Sequence, residues 1–129
     1  MLAGKRPKNL GIKNGKLKNC TSKPNCVCSA CNENNPHNIK PINVIGTLSE
    51  TLEKIHQLLL NTSKVKIIKY EGNYLYAECK SKLLGFVDDL EFYSDNDAKV
   101  IQVRSASRLG TSDFGVNRKR VEMIRKKLK

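Results

Sequence analysis

Residues 86–107, FVDDLEFYSDNDAKVIQVRSAS, contain two segments in which apolar and polar side chains alternate. A period of two is typical of a strand that is buried on one side and open on the other. The polar sequence between the two segments, Asp95-Asn96-Asp97, is typical of a turn. We therefore predict two antiparallel strands, at 86–93 and 99–107, that pair as a hairpin.

The alternation also predicts how the hairpin pairs. Placing Leu90 opposite Val103 turns both side chains, and the other apolar residues of the hairpin, toward the core. In that register Asp89 lies opposite Arg104 on the open face, where an exposed ion pair contributes roughly 0.2–1 kcal/mol. Asp88 falls on the buried face, and a carboxylate there needs hydrogen-bond donors. The candidate donors are Ser105, Ser107 and Arg108.

A helix is predicted before the strands. Thr47 and Glu50 have the spacing of a capping box, in which each side chain accepts a hydrogen bond from the backbone N–H of the other residue. Apolar residues then recur at helical spacing, namely Leu48, Leu52, Ile55 and Leu59. We therefore predict an amphipathic helix at 48–60 that ends near Asn61.

Two further strands and a second helix complete the pattern. The segments 65–70 and 74–80 have the composition of strands, and Glu71-Gly72-Asn73 between them is typical of a hairpin turn. Residues 116–128 repeat apolar side chains at helical spacing. The order of helix, four antiparallel strands and helix predicts an α+β two-layer sandwich with the helices on one face of the sheet.

The first 46 residues have a different character. They are rich in Gly, Pro, Asn and Lys, they contain four of the five cysteines, and they show little periodicity. Residues 1–46 are therefore predicted to form an irregular arm, and residues 47–129 a single α+β domain. A chain of 129 residues is long enough for one hydrophobic core.

The composition is basic. The chain has 24 Lys and Arg against 12 Asp and Glu, a formal net charge of +12, and the surplus is spread along the sequence. Such a charge attracts nucleic acids, anionic lipid headgroups or acidic proteins. No apolar run approaches the roughly 20 residues of a membrane span, and the first residues lack the apolar region of a secretory signal. We expect a soluble protein in the cytoplasm.

Basic and hydroxyl side chains collect where the last strand meets the last helix, in the sequence RSASRLGTSDFGVNRKR at 104–120. The free N–H groups and partial positive charge of a helix N-terminus favour an anion, and arginines add charged hydrogen bonds. Ser112 or Asp113 is expected to cap the helix. We predict a site for a small anion or an acidic partner, formed by Arg104, Ser105, Ser107, Arg108, Ser112, Asp113, Asn117 and Arg118. The alternative is a structural ion-pair network that includes Asp88, Asp89, Glu91 and Arg104.

Four cysteines lie within 12 residues of the arm, at Cys20, Cys26, Cys28 and Cys31. The Cys28-Ser29-Ala30-Cys31 segment resembles one zinc knuckle, whereas the spacing from Cys20 to Cys26 is irregular. An odd number of cysteines without a signal sequence favours reduced thiols or a metal over a disulfide framework. A zinc site, a redox-active thiol site and plain free thiols are the alternatives, and Cys79 is expected in the core.

Nucleic-acid binding is a third possibility. The segment from 118 to 129 carries seven basic residues and one acidic residue, Glu122. Phosphate contacts need such charge, although a run of charge on a helix usually faces solvent.

Signals of catalysis are few. The chain has no Gly-rich phosphate loop and no nucleophile elbow. Asp88 and Asp89 are neighbours on a predicted strand, so their side chains point to opposite faces and do not form a carboxylate pair. We favour a protein that is not an enzyme.

Three segments resemble a known family. They are SKPNCV at 22–27, GFVDDLEF at 85–92 and RSASRLGTSDFGVNRKR at 104–120, and together they resemble the uncharacterised family catalogued as domain of unknown function 1499. Members of that family occur in bacteria, cyanobacteria and plastid-bearing eukaryotes. The resemblance spans about residues 7–128 and implies no reaction. It implies that Cys26, the polar residues of the predicted junction site and the acidic residues Asp88, Asp89 and Glu91 belong to the family pattern, whereas Cys20, Cys28 and Cys31 depart from it.

These observations together predict a small binding or accessory domain. The predicted ligand is a small anion or an acidic partner at the strand–helix junction. The alternatives are zinc or redox chemistry at the four cysteines, and nucleic-acid binding by the last helix.

Overall fold

A computed structural model of the chain describes residues 4–81, 85–110 and 113–129. In these residues the protein is mixed α+β, with an antiparallel sheet of six strands and two helices. The elements in chain order are β1 (Cys26–Cys28), β2 (Ile42–Asn43), α1 (Leu48–Leu60), β3 (Val65–Glu71), β4 (Tyr74–Lys80), β5 (Val87–Asp95), β6 (Val100–Ser107) and α2 (Val116–Lys127). No helix in the described part of the chain is long and apolar enough to cross a membrane.

The sheet has the strand order β1-β6-β5-β4-β3, and β2 also pairs with β6. The four predicted strands are confirmed as β3 to β6, but the total of four is wrong. Two short segments within the predicted irregular arm, β1 and β2, both pair antiparallel with β6 and cover its outer edge. Strands of three and two residues are too short to show a periodicity, so only the pairing with β6 reveals them.

The predicted register of the β5–β6 hairpin is wrong by two residues. Leu90 pairs with Ser105 instead of Val103, and Glu91 rather than Asp89 lies opposite Arg104. A four-residue loop closes the hairpin between Asp95 and Val100, and the Asp95 carboxylate accepts hydrogen bonds from two backbone N–H groups of this loop. A shift of two residues changes every cross-strand partner but leaves each side chain on its predicted face.

The helices lie close to their predicted positions. The bounds of α1 are as predicted, and the capping box is present: Thr47 Oγ1 accepts from Glu50 N, and Glu50 Oε1 accepts from Thr47 N, each at 3.0 Å. The N-cap of α2 is Gly115, whose φ of 79° suits glycine. Asp113 still serves the first turn, because its Oδ2 accepts from Asn117 N at 3.1 Å. The other predicted cap, Ser112, lies outside the described residues.

The helix face of the sheet carries the main core. There, α1 and α2 pack on alternating strand residues such as Leu90, Phe92 and Val103, which are fully buried. The opposite face is predicted to be open, and this is wrong. Side chains of the arm, Leu10, Ile12 and Leu17, pack against Tyr74 and Tyr76 on that surface, which we call the arm face.

Candidate functional site

The predicted junction residues lie on both sides of the sheet. Ser105, Ser107 and Asn117 are on the helix face, whereas Arg104 and Arg108 are on the arm face. The sheet separates the two groups, so the two arginines do not face the start of α2. No contact of the structure tests anion binding, which stays a prediction.

On the helix face, Asn117 is the centre of a buried hydrogen-bond network and has no exposed surface. Its Oδ1 accepts from Ser105 Oγ at 2.6 Å and from Arg120 Nη1 at 2.8 Å. Its Nδ2 donates to Asp113 Oδ2 at 2.8 Å and to Ser107 Oγ at 2.9 Å. The network thereby joins the end of β6 to the first turn of α2.

Asp88 is buried on the helix face, as predicted, but its partner is not among the predicted donors. Arg120 Nη2 donates to Asp88 Oδ2 at 2.7 Å. Asp88 lies opposite Ser107 in the strand register. Arg120 lies one turn into α2, and only the packing of this helix on the sheet brings the guanidinium to the carboxylate.

A second network crosses the arm face around Arg108. Its Nη2 donates to Asp89 Oδ1 at 2.8 Å and also contacts the Glu78 carboxylate, and its Nε donates to Asp89 Oδ2 at 3.0 Å. Tyr76 donates its hydroxyl to Asp89 and accepts from Arg108 at 3.2 Å. Arg6, in the arm, donates to Glu78 at 2.6 Å. The arm therefore contacts this network directly.

Glu91 and Arg104 form a looser pair on the same face. Glu91 has no exposed surface, and its Oε2 accepts from Tyr74 OH at 2.6 Å and from the backbone N–H of Gly11 at 2.7 Å. The shortest approach of Arg104 to Glu91 is 3.7 Å. Within the described residues, Glu91 Oε1 and Arg104 Nε have no hydrogen-bond partner.

The pKa values on the arm face reflect burial and ion pairing. Burial raises the pKa of Glu91 and lowers the pKa of Arg104, because each loses water around its charge. The hydrogen bond from Arg6 is the main reason why the pKa of Glu78 falls to about 2. Hydrogen bonding to Asp89 raises the pKa of Arg108 further above its usual value. Glu78 and Arg108 are therefore both ionised at neutral pH.

The arginines of α2 make contacts within the protein. Arg118 donates to the backbone carbonyls of Asn38 and Pro36, at 3.0 Å each. Arg125 donates to the carbonyl of Pro41 at 2.7 Å and pairs with Glu122 at 2.9 Å. These contacts join α2 to the chain before α1. Nucleic-acid binding by this helix stays a prediction, and the basic groups left for it on α2 are mainly lysines.

The four arm cysteines come together beside β1. Two disulfides, Cys20–Cys26 and Cys28–Cys31, join them, and the Cα–Cα distance is 5.7 Å in each pair. The expectation that these cysteines are not in disulfides is therefore wrong for this structure. The backbone conformation of the arm brings the Cα atoms of each pair within the range that a disulfide spans, and residue spacing alone does not reveal that conformation. Cys79 is free and buried in the core, as expected.

The cysteine sulfurs are also close across the two disulfides. The Sγ atoms of Cys20, Cys28 and Cys31 all lie within 4.8 Å of one another, so this cluster could hold a metal ion. Cys26, Cys28 and Cys31 are buried. Strand alternation puts Val27 in the main core and turns Cys26 and Cys28 toward the arm face, where Cys28 is the cross-strand partner of Arg104.

Sequence reasoning missed several members of these networks. Tyr74 and Tyr76 donate to the buried carboxylates of Glu91 and Asp89, and no local pattern indicated this role. Asn25 is buried, donates to the Gly110 carbonyl at 2.7 Å and offers its own carbonyl to Asn117 at 3.2 Å. Asn25 belongs to SKPNCV and Asn117 to the stretch at 104–120. Both segments resemble the family, and this shared resemblance was the one sequence signal that pointed to the two residues.

Comparison of the chain with known proteins agrees with the family resemblance of the segments at 22–27, 85–92 and 104–120. No curated protein and no solved structure matches the chain. One family matches residues 16–128, and its description is protein of unknown function, DUF1499. Since this match covers nearly the whole chain, including β1, the sheet and both helices, the protein belongs to the DUF1499 family.

Proposed function

We propose that Cys20, Cys26, Cys28 and Cys31 form a thiol site that binds one soft metal ion, with zinc as the best match, when the sulfurs are reduced. The observation that carries the proposal is the approach of the Cys20, Cys28 and Cys31 sulfurs to within 4.8 Å of one another. Zinc–sulfur bonds of about 2.3 Å in a tetrahedron place neighbouring sulfurs roughly 3.8 Å apart. Sulfurs bonded in a disulfide are closer than this, so both disulfides must be reduced and their sulfurs must separate before the four cysteines form a coordination shell.

The backbone around the cluster supports the proposal because it holds three of the four cysteines in place. Cys26 and Cys28 lie on β1, which is paired with β6. Cys28 N donates to the His37 carbonyl, and Asn38 Nδ2 donates to the Cys31 carbonyl, at 2.9 Å each. A site whose ligands are already ordered loses less entropy when it binds an ion.

Charge near the cluster also supports thiolate chemistry. Four thiolates around Zn²⁺ carry a net charge of −2, and a nearby cation offsets part of it. Arg104 lies opposite Cys28 on the same face of the sheet, is 8% exposed, and has a second buried neighbour in Glu91. A guanidinium in this position favours the thiolate form of Cys28 over the thiol.

The disulfide form and the metal form are two states of the same site in this proposal. Each disulfide takes two electrons and two protons from an external dithiol, which becomes a disulfide, and four thiols result. Binding of Zn²⁺ then displaces the four thiol protons. The metal site therefore forms only under reducing conditions, and oxidation by an external disulfide releases the ion.

The test is native mass spectrometry of protein that is reduced with a phosphine and titrated with zinc chloride under inert gas. We expect a mass increase of one zinc per chain, less the displaced protons. Cys28→Ser should lose the zinc. The matched control is Cys79→Ser, which also removes a buried thiol but leaves the cluster intact, and it should retain the zinc.

Two results would contradict the proposal. One is a fully reduced protein that takes up no zinc from an excess of the ion. The other is a pair of disulfides that resist reduction in the native protein, because the cluster would then be a structural framework. Cobalt titration provides a second measurement, since coordinated thiolates produce a ligand-to-metal charge-transfer absorption that serine in place of Cys28 would weaken.

A further inference from the structure

A cleft of about 520 Å³ lies on the helix face, between the last turn of α1, the exposed side of α2 and the ends of β3 and β4. Its floor is apolar and includes Leu59, Cys79, Leu90 and Ile124, all of which are buried. The volume falls within the range of about 300–1,000 Å³ that is typical of sites for small molecules. The cleft therefore has the size and the lining to bury an apolar group.

The rim of this cleft is basic. Lys64, Lys80, Lys119 and Lys127 line it, and all four side chains are exposed. Lys64 and Lys80 are fixed beside each other, because Lys80 N donates to the Lys64 carbonyl at 2.8 Å. No carboxylate occurs among the described residues that line the cleft, and no ion pair to these four lysines is seen in the described part of the chain.

We propose that this basic cleft binds a fatty acid, with the alkyl chain on the apolar floor and the carboxylate among the rim lysines. The proposal follows from charge complementarity, since a single small cleft combines an apolar floor with an uncompensated positive rim. Neutral or cationic amphiphiles would leave the lysines without a counter-charge. An acidic amphipathic helix needs a long groove for anchors several turns apart, and the compact cleft suits a single chain better.

The cleft is independent of the cysteine site. Its lining comes from α1, α2 and the strands β3 to β5, whereas the cysteine cluster lies beside β1 at the opposite edge of the sheet. The fatty-acid proposal therefore does not depend on metal binding. The full chain with the four arm cysteines in either redox state is suitable for its test.

The first experiment is calorimetric titration of the full chain with dodecanoate below its micelle concentration. We expect saturable binding of one molecule per chain. Dodecanol and dodecyltrimethylammonium, which have the same alkyl chain but no negative charge, should bind at least about tenfold more weakly. Decanoate should also bind about tenfold more weakly than dodecanoate, because each buried methylene contributes roughly two- to fourfold in affinity.

Variants locate the site. Lys64→Gln combined with Lys119→Gln should weaken dodecanoate binding about five- to tenfold, because two favourable charge contacts are removed. The matched control is Lys66→Gln combined with Lys126→Gln, which makes the same change of charge at exposed lysines that do not line the cleft. Its affinity should stay within twofold of that of the unchanged protein.

Two further variants test the floor and the mouth. Cys79→Met fills part of the cleft with a longer side chain and should weaken binding. Met123→Asp places a negative charge at the mouth, where Met123 is half exposed, and should weaken binding without disturbing the core. The second variant keeps the test valid if the first one fails to fold.

Other results would overturn the proposal. Equal affinity for dodecanoate and dodecanol would show that the rim lysines do not bind the carboxylate. Equal losses of dodecanoate affinity in the double-lysine variant and its control would show that the attraction is a general effect of net charge. Preference for an acidic amphipathic peptide, or binding only to anionic vesicles, would assign the cleft to another occupant. Binding that does not saturate at one molecule per chain would also contradict it.

Discussion

The helix face and the arm face of the sheet are formed by alternate residues of the same strands, but they are buried in different ways. On the helix face, β5 and β6 present Leu90, Phe92 and Val103 to two helices, and none of these side chains is exposed. On the arm face, the residues between them are charged. Glu91 has no exposed surface and Asp89 has 2%, and they lie beneath an arm that packs on them.

The difference between the two faces shows that a sheet surface can be buried by other parts of the chain and still consist of charged residues. A helix buries a continuous apolar stripe, and hydrophobic transfer then accounts for most of the stability. The arm supplies few apolar residues, and the carboxylates beneath it accept hydrogen bonds from Tyr74, Tyr76 and Arg108. Buried ion pairs add little net stability, but the removal of one partner is costly because it leaves an unpaired buried charge.

Arg108→Ala should have the largest effect, and it tests whether the arm face depends on its buried charges. We expect the free energy of unfolding to fall by about 3–5 kcal/mol, because Asp89 stays buried without its guanidinium. Urea unfolding followed by circular dichroism measures this change. The control is Arg118→Ala, which removes an exposed guanidinium and should cost about 1 kcal/mol or less. Equal losses in the two variants would show that the arm face does not depend on its buried charges.

Asn117→Ala tests the polar network of the helix face. We expect a loss of about 1–3 kcal/mol, because buried partners such as Ser105 and Asn25 lose a hydrogen bond. The effect should be smaller than that of Arg108→Ala, since no charge is left without its counter-ion. Asn43→Ala, at an exposed position of β2, is the control and should stay within about 0.5 kcal/mol. If Asn117→Ala lowered the free energy of unfolding by more than Arg108→Ala does, the polar network of the helix face would be more important for stability than the buried charges of the arm face.

The two faces should also respond differently to acid. The pKa of Glu78 is about 2 in the folded protein, against a usual value of 4.5. Because the folded pKa is lowered, the stabilisation from Glu78 is present above pH 4.5 and is lost as the pH falls from 4.5 toward 2. Glu78→Gln should therefore be less stable than the unchanged protein at pH 7, and the difference should shrink toward pH 2.

Thermal unfolding at a series of pH values measures this acid response. The expected difference at neutral pH is smaller than the loss in Arg108→Ala, because solvent reaches part of Glu78 and screens its charge. Glu33→Gln is a suitable control, since Glu33 is exposed and lies in the loop that follows Cys31. A difference between Glu78→Gln and the unchanged protein that stays constant from pH 7 to pH 2 would contradict the assignment.

Arg6→Ala should have the smallest effect. The Arg6 side chain is 52% exposed although it contacts Glu78, so solvent screens the ion pair and we expect only a small loss of stability. Unfolding in urea at low and high salt measures it, and salt should reduce the difference further. A loss comparable to that in Arg108→Ala would show that the exposed end of the arm, and not the buried network, holds the arm in place.

Local patterns predicted much of the fold because they depend on neighbouring residues. The capping box of Thr47 and Glu50 predicted the start of α1, and strand alternation placed Leu90 and Asp89 on opposite faces. Such signals act over four residues or fewer. They did not predict that the β5–β6 register is shifted by two, because the register depends on the length and backbone conformation of one loop.

The candidate sites were predicted less completely for the same reason. The junction residues were found as a group, and strand alternation already places Arg108 and Ser107 on opposite faces. That Asn117 lies on the face of Ser107 depends on how α2 packs on the sheet. The partner of Asp88 was missed because Arg120 reaches it from a helix that starts 28 residues later in the chain. The cysteines were found by their density, whereas their two disulfides depend on how the arm folds against β1.

The sequence by itself determined the two helices, the four central strands and the face on which each strand residue lies, because periodicity and capping are local properties of the chain. Only the tertiary structure decided that the second face is covered, which arginine meets which carboxylate, and that three cysteine sulfurs come within 4.8 Å of one another. The first two features depend on contacts between residues far apart in the sequence, such as Gly11 with Glu91 and Arg108 with Asp89, whereas the sulfur cluster depends on how the arm lies against β1. Their energies arise only when the whole chain has folded, so no local pattern encodes them.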